Sequence, residues 1–461
     1  MVSLKVISIL SAFFTAFPLA ASAPAEGRTH NGKTTAARPN LSPYPLTTGK
    51  KFPTSPRRTK TCFIDALGSG RDDGPQILAA AHKCNNGGTL AFLDDLYTIG
   101  TPLDLTFLKH VDFDIQGTIR FTDDIDFWIR NQFEYYYQNI SSFWQIGGTD
   151  VNLFGSGKGV IDGNGQKWYD AFDTNKLNTT FRRPLLLVFD GIKGGQMSGI
   201  TMRNSPNWNT LIANSSDMIF HDMHVEAKST SNIQAKNTDG WDTYANKPMK
   251  TLDRSDNIII QNSVINNGDD CVSLRGNSTN ILIQSLACNG SHGISVGSLG
   301  QYYQNQDIVE NVYVFNITMT NASDGARIKA WPGVFGEAMP GWVGGGGTGY
   351  VNNVTYDTML LNNVDYAIEI TQCYGQKNLT ACNERPSTLE IKNVYFHGFY
   401  GVASKKYDPQ VGSMICSSPE VCHDIHAYNI NVLAPSGKAP YYTCFNMDES
   451  LLGVKCQPWK G

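Results

Sequence analysis

Four short segments of this 461-residue chain hold the side chains best suited to chemistry. Asp239-Gly-Trp-Asp, Asp270-Cys-Val-Ser, His292-Gly-Ile-Ser and Ala326-Arg-Ile-Lys read in one frame, each with an apolar third residue. If that residue faces inward on a strand, its polar neighbours face outward. Asp239, Asp270 and His292 are then expected in one column on the outer face, on strands about 4.8 Å apart. Arg327 and Lys329, two residues apart, share a face of the following coil. Crowded carboxylates raise one another's pKa, so one can stay protonated as an acid while another serves as base. An Arg/Lys pair offers charge-assisted hydrogen bonds to an anionic group of a substrate.

Taken singly, none of these features is specific. Asp-Asp occurs four times, at Asp72-Asp73, Asp94-Asp95, Asp123-Asp124 and Asp269-Asp270, and more often marks a cap, a turn or a solvated edge. A lone His before Gly is usually a hydrogen-bonded turn residue, and Arg-Ile-Lys is an ordinary exposed strand. Gly344 to Gly347 lack a following Gly-Lys-Ser/Thr, so they read as a loop and not as a phosphate cradle. What carries weight is the set of four, in order and in one frame.

The elements that must position these residues are short Val/Ile/Leu/Phe alternations broken by Gly, Asn and Asp. Asn followed by an apolar strand recurs as Asn257-Ile-Ile-Ile, Asn280-Ile-Leu-Ile, Asn311-Val-Tyr-Val, Asn353-Val-Thr-Tyr and Asn393-Val-Tyr-Phe, at gaps of 23, 31, 42 and 40 residues. A variable period of about 22 or more predicts an all-β fold, a parallel β-helix whose turns absorb insertions. A β-sandwich, with hairpins every ~8 to 12 residues, fits less well. One short helix is expected after Asp73, in an N-cap-like position, with Ile77, Leu78 and Ala81 on one face and a stop at Gly87-Gly88.

Met1 to Ala23 has the Lys5, apolar and small-residue regions of a cleaved secretory leader, and no later segment is apolar for long enough to span a membrane. Residues 24–60 hold six prolines and eight Lys/Arg against one acid, the composition of a disordered arm or pro-segment. A single catalytic domain is expected over residues 61–461. Ten Asn-x-Ser/Thr sequons, Asn139 among them, fit a secreted protein. The ten cysteines lack the paired spacing of a zinc site and suggest disulfides. Sequence proximity suggests Cys62 with Cys84, Cys271 with Cys288, Cys373 with Cys382, Cys416 with Cys422, and Cys444 with Cys456.

Asn237-Thr-Asp-Gly240, Gly268-Asp-Asp270, His292-Gly293 and Arg327-Ile-Lys329 match, in order, the four signature motifs of the polygalacturonase family of pectin-degrading glycoside hydrolases. The resemblance runs from about Asp65 to the C-terminal region. One departure is Ser291, where the family most often has Gly. The resemblance implies a right-handed parallel β-helix with a short N-terminal capping helix, and inverting hydrolysis of α-1,4-galacturonosyl bonds. By motif position, Asp269 resembles the general acid, Asp239 and Asp270 the pair that holds and activates water, and His292 a residue that tunes or orients a carboxylate. Arg327 and Lys329 would bind a uronate carboxylate, and Asn237 is expected to contact substrate. Tyr374 resembles a family tyrosine near the same subsite, with core packing as its competing reading. The insertions Gly300 to Glu310 and Val334 to Gly349, with the Asp-Gly-Trp-Asp-Thr-Tyr form of the first motif, resemble exo-acting fungal members. The alternatives are endo action and a rhamnogalacturonan-end galacturonosidase.

The formal net charge of -4, and about -12 beyond residue 60, excludes a generally basic nucleic-acid binder. A polyanionic substrate would therefore need local cations, which Arg327 and Lys329 would supply. No cofactor, catalytic metal or membrane partner is expected, and the protein is expected to be a secreted monomer. A pectate lyase would need acids clustered on Ca²⁺. A non-catalytic carbohydrate binder would have no use for three carboxylates, a His and two cations in one column.

Overall fold

The computed structural model describes residues 27–459 apart from 136, 174–181, 246–253, 304, 334–343, 377–379, 381 and 383. The leader expected over Met1–Ala23 lies outside the described residues, as do the sequons at Asn178 and Asn378 and most of the Val334 to Gly349 insertion. Among the described residues, no helix is long and apolar enough to cross a membrane.

The chain winds as a parallel β-helix. Each coil adds one long strand and one short one. The long strands Ser255–Asn266, Ser278–Asn289, Gln306–Thr320, Thr348–Val364, Leu389–Ala403 and Cys422–Leu433 pair in parallel, each with the next. The short strands Trp241–Tyr244, Val272–Leu274, Ile294–Leu299, Asp324–Ala330 and Tyr366–Thr371 form a second parallel sheet that carries the motifs.

The recurring asparagines explain how coils of unequal length stay in step. Asn257, Asn280, Asn311, Asn353 and Asn393 fall on one register and hold φ of 54°, 55°, 57°, 53° and 52°. Asn tolerates this left-handed conformation at little cost, because its short amide bonds locally. The strand bends there, and the amides link coil to coil: Asn353 Nδ2 donates to Asn311 Oδ1 at 2.8 Å, and Asn257 Nδ2 to Asp217 Oδ1 at 2.6 Å. After each Asn, and after Asp424 in the same conformation, the next side chain turns inward, so Ile258, Ile281, Val312, Val354, Val394 and Ile425 stack through a buried core.

The capping helix spans Gly74–Cys84 and buries Ile77, Ala81 and Cys84, with Leu78 partly buried. It ends before Gly87-Gly88, where Asn85 leaves the helix and its amide donates to Phe107 O. Asp73 sits at the N-cap position, yet its carboxylate accepts from Leu67 N and Thr98 N, tying the helix to neighbouring chain instead of capping it. Two further short helices, Ile125–Asn131 and Gln166–Asp173, were not legible in the periodicity. All ten cysteines pair, as Cys62–Cys84, Cys271–Cys288, Cys373–Cys382, Cys416–Cys422 and Cys444–Cys456.

The described part of the expected disordered arm, residues 27–60, is instead a strap fastened along the coils. Leu41, Leu46 and Phe52 cover an apolar patch of Ile219, Ile259 and Leu282 on the outside of the sheet. Gln261 Nε2 donates to Ser42 O at 3.0 Å, and Gln284 Nε2 to Leu46 O at 3.2 Å. Arg58 lies buried between Asp112 at 2.9 Å and Asp150 at 2.8 Å, and Arg38 adds a second cation on Asp112 at 3.0 Å. Composition alone misleads here: the arm's basic residues would repel one another in water, but they complement an acidic body that supplies their partners.

Candidate active site

Trp241, Val272, Ile294 and Ala326 pair in sequence across the short strands and face the core. The residues two before each, Asp239, Asp270, His292 and Asp324, therefore share one register. This corrects the expected frame of the fourth motif. Ala326 sits where Ile328 was placed, so Asp324-Gly-Ala-Arg is the true counterpart of Asp239-Gly-Trp-Asp. The glycines mark it: a Cβ on Gly240 would meet Cys271 O at 2.4 Å, and one on Gly325 would meet Ala367 O at 2.6 Å. Because the slip is of two residues, Arg327 and Lys329 keep their outward direction.

The column is not an exposed outer face as expected. Asp239, Asp270 and Asp324 are buried, and the accessible groups are Asp269 and His292, whose side chains are 17% and 42% exposed. His292 Nδ1 lies 3.0 Å from Asp269 Oδ1, and Asn237 Nδ2 donates to Asp269 Oδ2 at 3.1 Å. Asn237 is held in turn by Arg183 Nη2 at 2.7 Å, so its amide orients Asp269 as well as lining the cavity. Asp270 Oδ2 accepts from Lys329 Nζ at 2.5 Å, and its Oδ1 accepts from Ser295 Oγ at 2.8 Å. Arg327 Nε is 2.5 Å from Glu369 Oε2. Tyr374 lies under both cations, its ring centre 5.4 Å from Lys329 Nζ and 5.9 Å from the Arg327 guanidinium carbon, at the site and not in the core.

These surroundings separate the acids. Burial pushes Asp239 well above the usual carboxylate range, with the charges of Asp269, Asp242 and Asp270 adding to it, and its Oδ1 is buried without a hydrogen-bond partner. Burial also pushes Asp269 up, but the hydrogen bond and charge of His292, with Lys329, more than offset it and bring the group down to about 2. His292 is correspondingly raised, first by its hydrogen bond to Asp269. The pair thus shares one proton, resting on His292 when the cleft is empty. Burial raises Asp242 and Asp324 to about 7 each, against the opposing charges of Arg275 and Arg327.

Above these acids lies a cavity of about 360 Å³, lined among others by Asp239, Asp269, Asp270, Arg275, Lys329 and Tyr374. Segments distant in sequence close one end of it. Gln138 Nε2 donates to Gln301 Oε1 at 2.8 Å, the Tyr302 hydroxyl accepts from Gln138 N at 3.2 Å, and Tyr137 stacks on Tyr244 at 3.7 Å. Gln301 and Tyr302 belong to the Gly300 to Glu310 insertion. Gln138, Trp208 and Arg275 were missed in the sequence: the first two come from loops without a motif, whereas Arg275 continues the outward alternation Ser273, Arg275 and was legible in principle.

Among the described residues, ligand atoms of Asp269, Asp270 and His292 converge within 4.8 Å of one another, close enough to hold a cation. These side chains already pair, His292 with Asp269 and Lys329 with Asp270. A cation there would compete with these pairings for the two carboxylates.

A parallel β-helix with carboxylates, a histidine and cations gathered in a cleft defines a polysaccharide-cleaving hydrolase of the β-helical class. Residues 99–455 match the profile of Glycosyl hydrolases family 28, and the chain belongs to that family. It is 53% identical over 439 residues to a protein of Neosartorya fischeri named "Probable exopolygalacturonase X", covering 95% of this chain and 96% of the relative. It is 51% identical over 454 residues to an exopolygalacturonase of Cochliobolus carbonum, covering 98% of each. The crystal structure of an endo-xylogalacturonan hydrolase from Aspergillus tubingensis superposes with a TM-score of 0.75 at 31% identity, over 87% of this chain and 99% of that one.

Proposed function

We propose that this protein is a secreted exopolygalacturonase that hydrolyses α-1,4-galacturonosyl bonds with inversion and releases galacturonate from non-reducing ends. The observation that carries exo action is the closed end of the cavity, where Gln138 from one loop meets Gln301 and Tyr302 from another. A polymer cannot run through such a site and must enter by its end. The names of the similar fungal proteins support the same reading, and five disulfides fit an extracellular setting. The arm is assigned to the catalytic domain, as part of its outer wall.

In this reading Asp269 protonates the leaving glycosidic oxygen. Its proton reaches it across the 3.0 Å contact with His292. Substrate expels water, and in the drier site a neutral Asp–His pair gains on the separated ion pair. Asp239 and Asp270 hold a water on the other side of the anomeric carbon, and the water's proton passes to this pair as its oxygen forms the new bond. Asp270 is held by its ion pair with Lys329, while Asp239 must give up the proton that burial favours. Lys329 and Arg327 face a uronate carboxylate over Tyr374.

Product analysis on polygalacturonate tests the proposal. Galacturonate alone is expected, with the viscosity of the polymer hardly changed early in digestion. A ladder of oligomers with rapid viscosity loss overturns exo action. Unsaturated products that absorb in the ultraviolet and require Ca²⁺ indicate a lyase. Release only from rhamnogalacturonan ends moves the activity to that substrate.

A further inference from the structure

Hydrolysis of a galacturonosyl bond brings at least two uronates into the site, one on each side of the bond, yet Lys329 and Arg327 stand together on one side of the acids. The cavity already holds Asp239, Asp269 and Asp270, so the second substrate carboxylate would meet a strongly negative field unless another cation faced it. Arg275 is that cation. It is 6% exposed and lines the cavity. Leu274 pairs with Val296, and Gly297 with Lys329, so Arg275, Gly297 and Lys329 fall on one register across three strands. The backbones of Arg275 and Lys329 are then about 10 Å apart, twice the strand spacing. The residue between them is a glycine, which leaves the floor of the cleft open.

The contacts of Arg275 suit a guanidinium awaiting a ligand. Nε is committed, donating to Asp242 Oδ1 at 2.6 Å. Two of the Nη contacts are long, 3.3 Å from Nη1 to Gln138 Oε1 and 3.5 Å from Nη2 to Asp239 Oδ2, and the Tyr137 hydroxyl is a further neighbour of the guanidinium. Trp208 supports the plane from one face, with the guanidinium carbon 4.2 Å from its ring centre. The planar fork is thus fixed in orientation, with its outer edge toward the closed end of the cavity.

We infer that Arg275 is the specificity-determining residue that binds the carboxylate of the terminal, non-reducing galacturonate, opposite the carboxylate held by Lys329 and Arg327. This rests on the exo reading above and adds the chemical group by which the end residue is read. A neutral hexose or a methyl-esterified galacturonate at the chain end would leave the outer Nη edge without a charged acceptor, since Asp242 engages only Nε.

The test compares two substrates on two proteins: digalacturonate, and the same disaccharide with only its non-reducing carboxyl as the methyl ester. The wild type is expected to favour the free acid by a factor on the order of 10² in kcat/KM, the scale for losing one partner of a buried charge pair. Arg275→Gln is expected to bring that ratio close to one, chiefly by raising KM for the acid, with Arg275→Lys in between. A residue that merely supports Asp239 would slow both substrates by the same factor and leave the ratio at its wild-type value, which overturns the inference. If Arg275→Gln does not fold, inhibition of the wild type by galacturonate and by its methyl ester decides: the acid is expected to bind more tightly, and equal inhibition constants overturn it. Failure of the wild type to release a monosaccharide from either disaccharide sinks the exo reading instead.

Discussion

Two clusters of buried carboxylates and cations are built on different coils of one β-helix and end up with opposite properties. Under the strap, Asp150 accepts from Arg58, Ser55, His110 and Asn152, and these partners outweigh its burial and hold it well below the usual carboxylate range. Asp112, deeper still, is raised by burial even though Arg38 and Arg58 oppose it, but both its oxygens are paired. In the cleft, Asp239 Oδ1 and Asp242 Oδ2 are buried with no partner, and both groups are pushed up. The scaffold can satisfy a buried acid; here it leaves two oxygens unmet, one of them on an acid that lines the cavity. An unmet polar group costs stability, and such costs are expected to collect where chemistry is done.

Matched substitutions can break this contrast. Asp269→Asn should lower kcat by about 10² to 10⁴, the usual worth of general acid catalysis, with a loss of stability no larger than that of breaking its pairing with His292; Asp150→Asn should lower stability while the folded fraction keeps its kcat. Activity above about a tenth of wild type in Asp269→Asn would remove the acid role. Arg58→Ala should cost about 1.5 to 3 kcal/mol in urea unfolding, the scale for hydrogen bonds to charged groups, since Asp112 keeps Arg38 and Asp150 keeps Ser55, His110 and Asn152, while the folded fraction keeps its kcat. A variant as stable as the wild type would mean the strap is only laid on the surface.

Smaller effects sharpen the comparison. Cys271–Cys288 closes a loop of 17 residues between the strand after Asp270 and the segment before His292, worth about 3 kcal/mol in the chain-entropy model. Replacing both by Ser should lower stability and activity together, a coupling not expected under the strap. The smallest effect is in pH. Asp269 is held below 3.8 and His292 above 6.5, so their pairing contributes stability that is complete between those values. It is lost as pH falls through the depressed Asp269 pKa, or rises through the elevated His292 pKa. His292→Gln should therefore differ most from the wild type in melting temperature near pH 5 and least in alkali, and a difference independent of pH would refute the shared proton.

Legibility in the sequence followed how local each signal was. The coil repeat was readable because Asn257, Asn280, Asn311, Asn353 and Asn393 each repeat one local requirement, a left-handed bend before an inward apolar residue. Lys329 was readable because its spacing follows strand alternation, and the acids because each precedes the same core-facing position of its coil. The fourth motif was misplaced by two residues because alternation repeats every two, and only the glycine at Gly325 distinguishes the frames. Gln138 and Trp208 carry no pattern, since what brings them to the cavity is packing between distant segments. The strap was misread for a related reason: its composition describes an isolated chain, whereas its order comes from Asp112, Asp150, Gln261 and Gln284 elsewhere.

The strap also constrains the order of assembly. Leu46 bonds to Gln284, 238 residues further along, so a segment made early in synthesis cannot dock until the coil containing Gln284 exists. Until then Ile219, Ile259 and Leu282 are uncovered on a sheet face, an apolar surface that invites association with other chains. Docking would thus register that the middle coils are complete and in step, and a chain with a slipped coil would present Gln261 and Gln284 at the wrong spacing and remain unsealed.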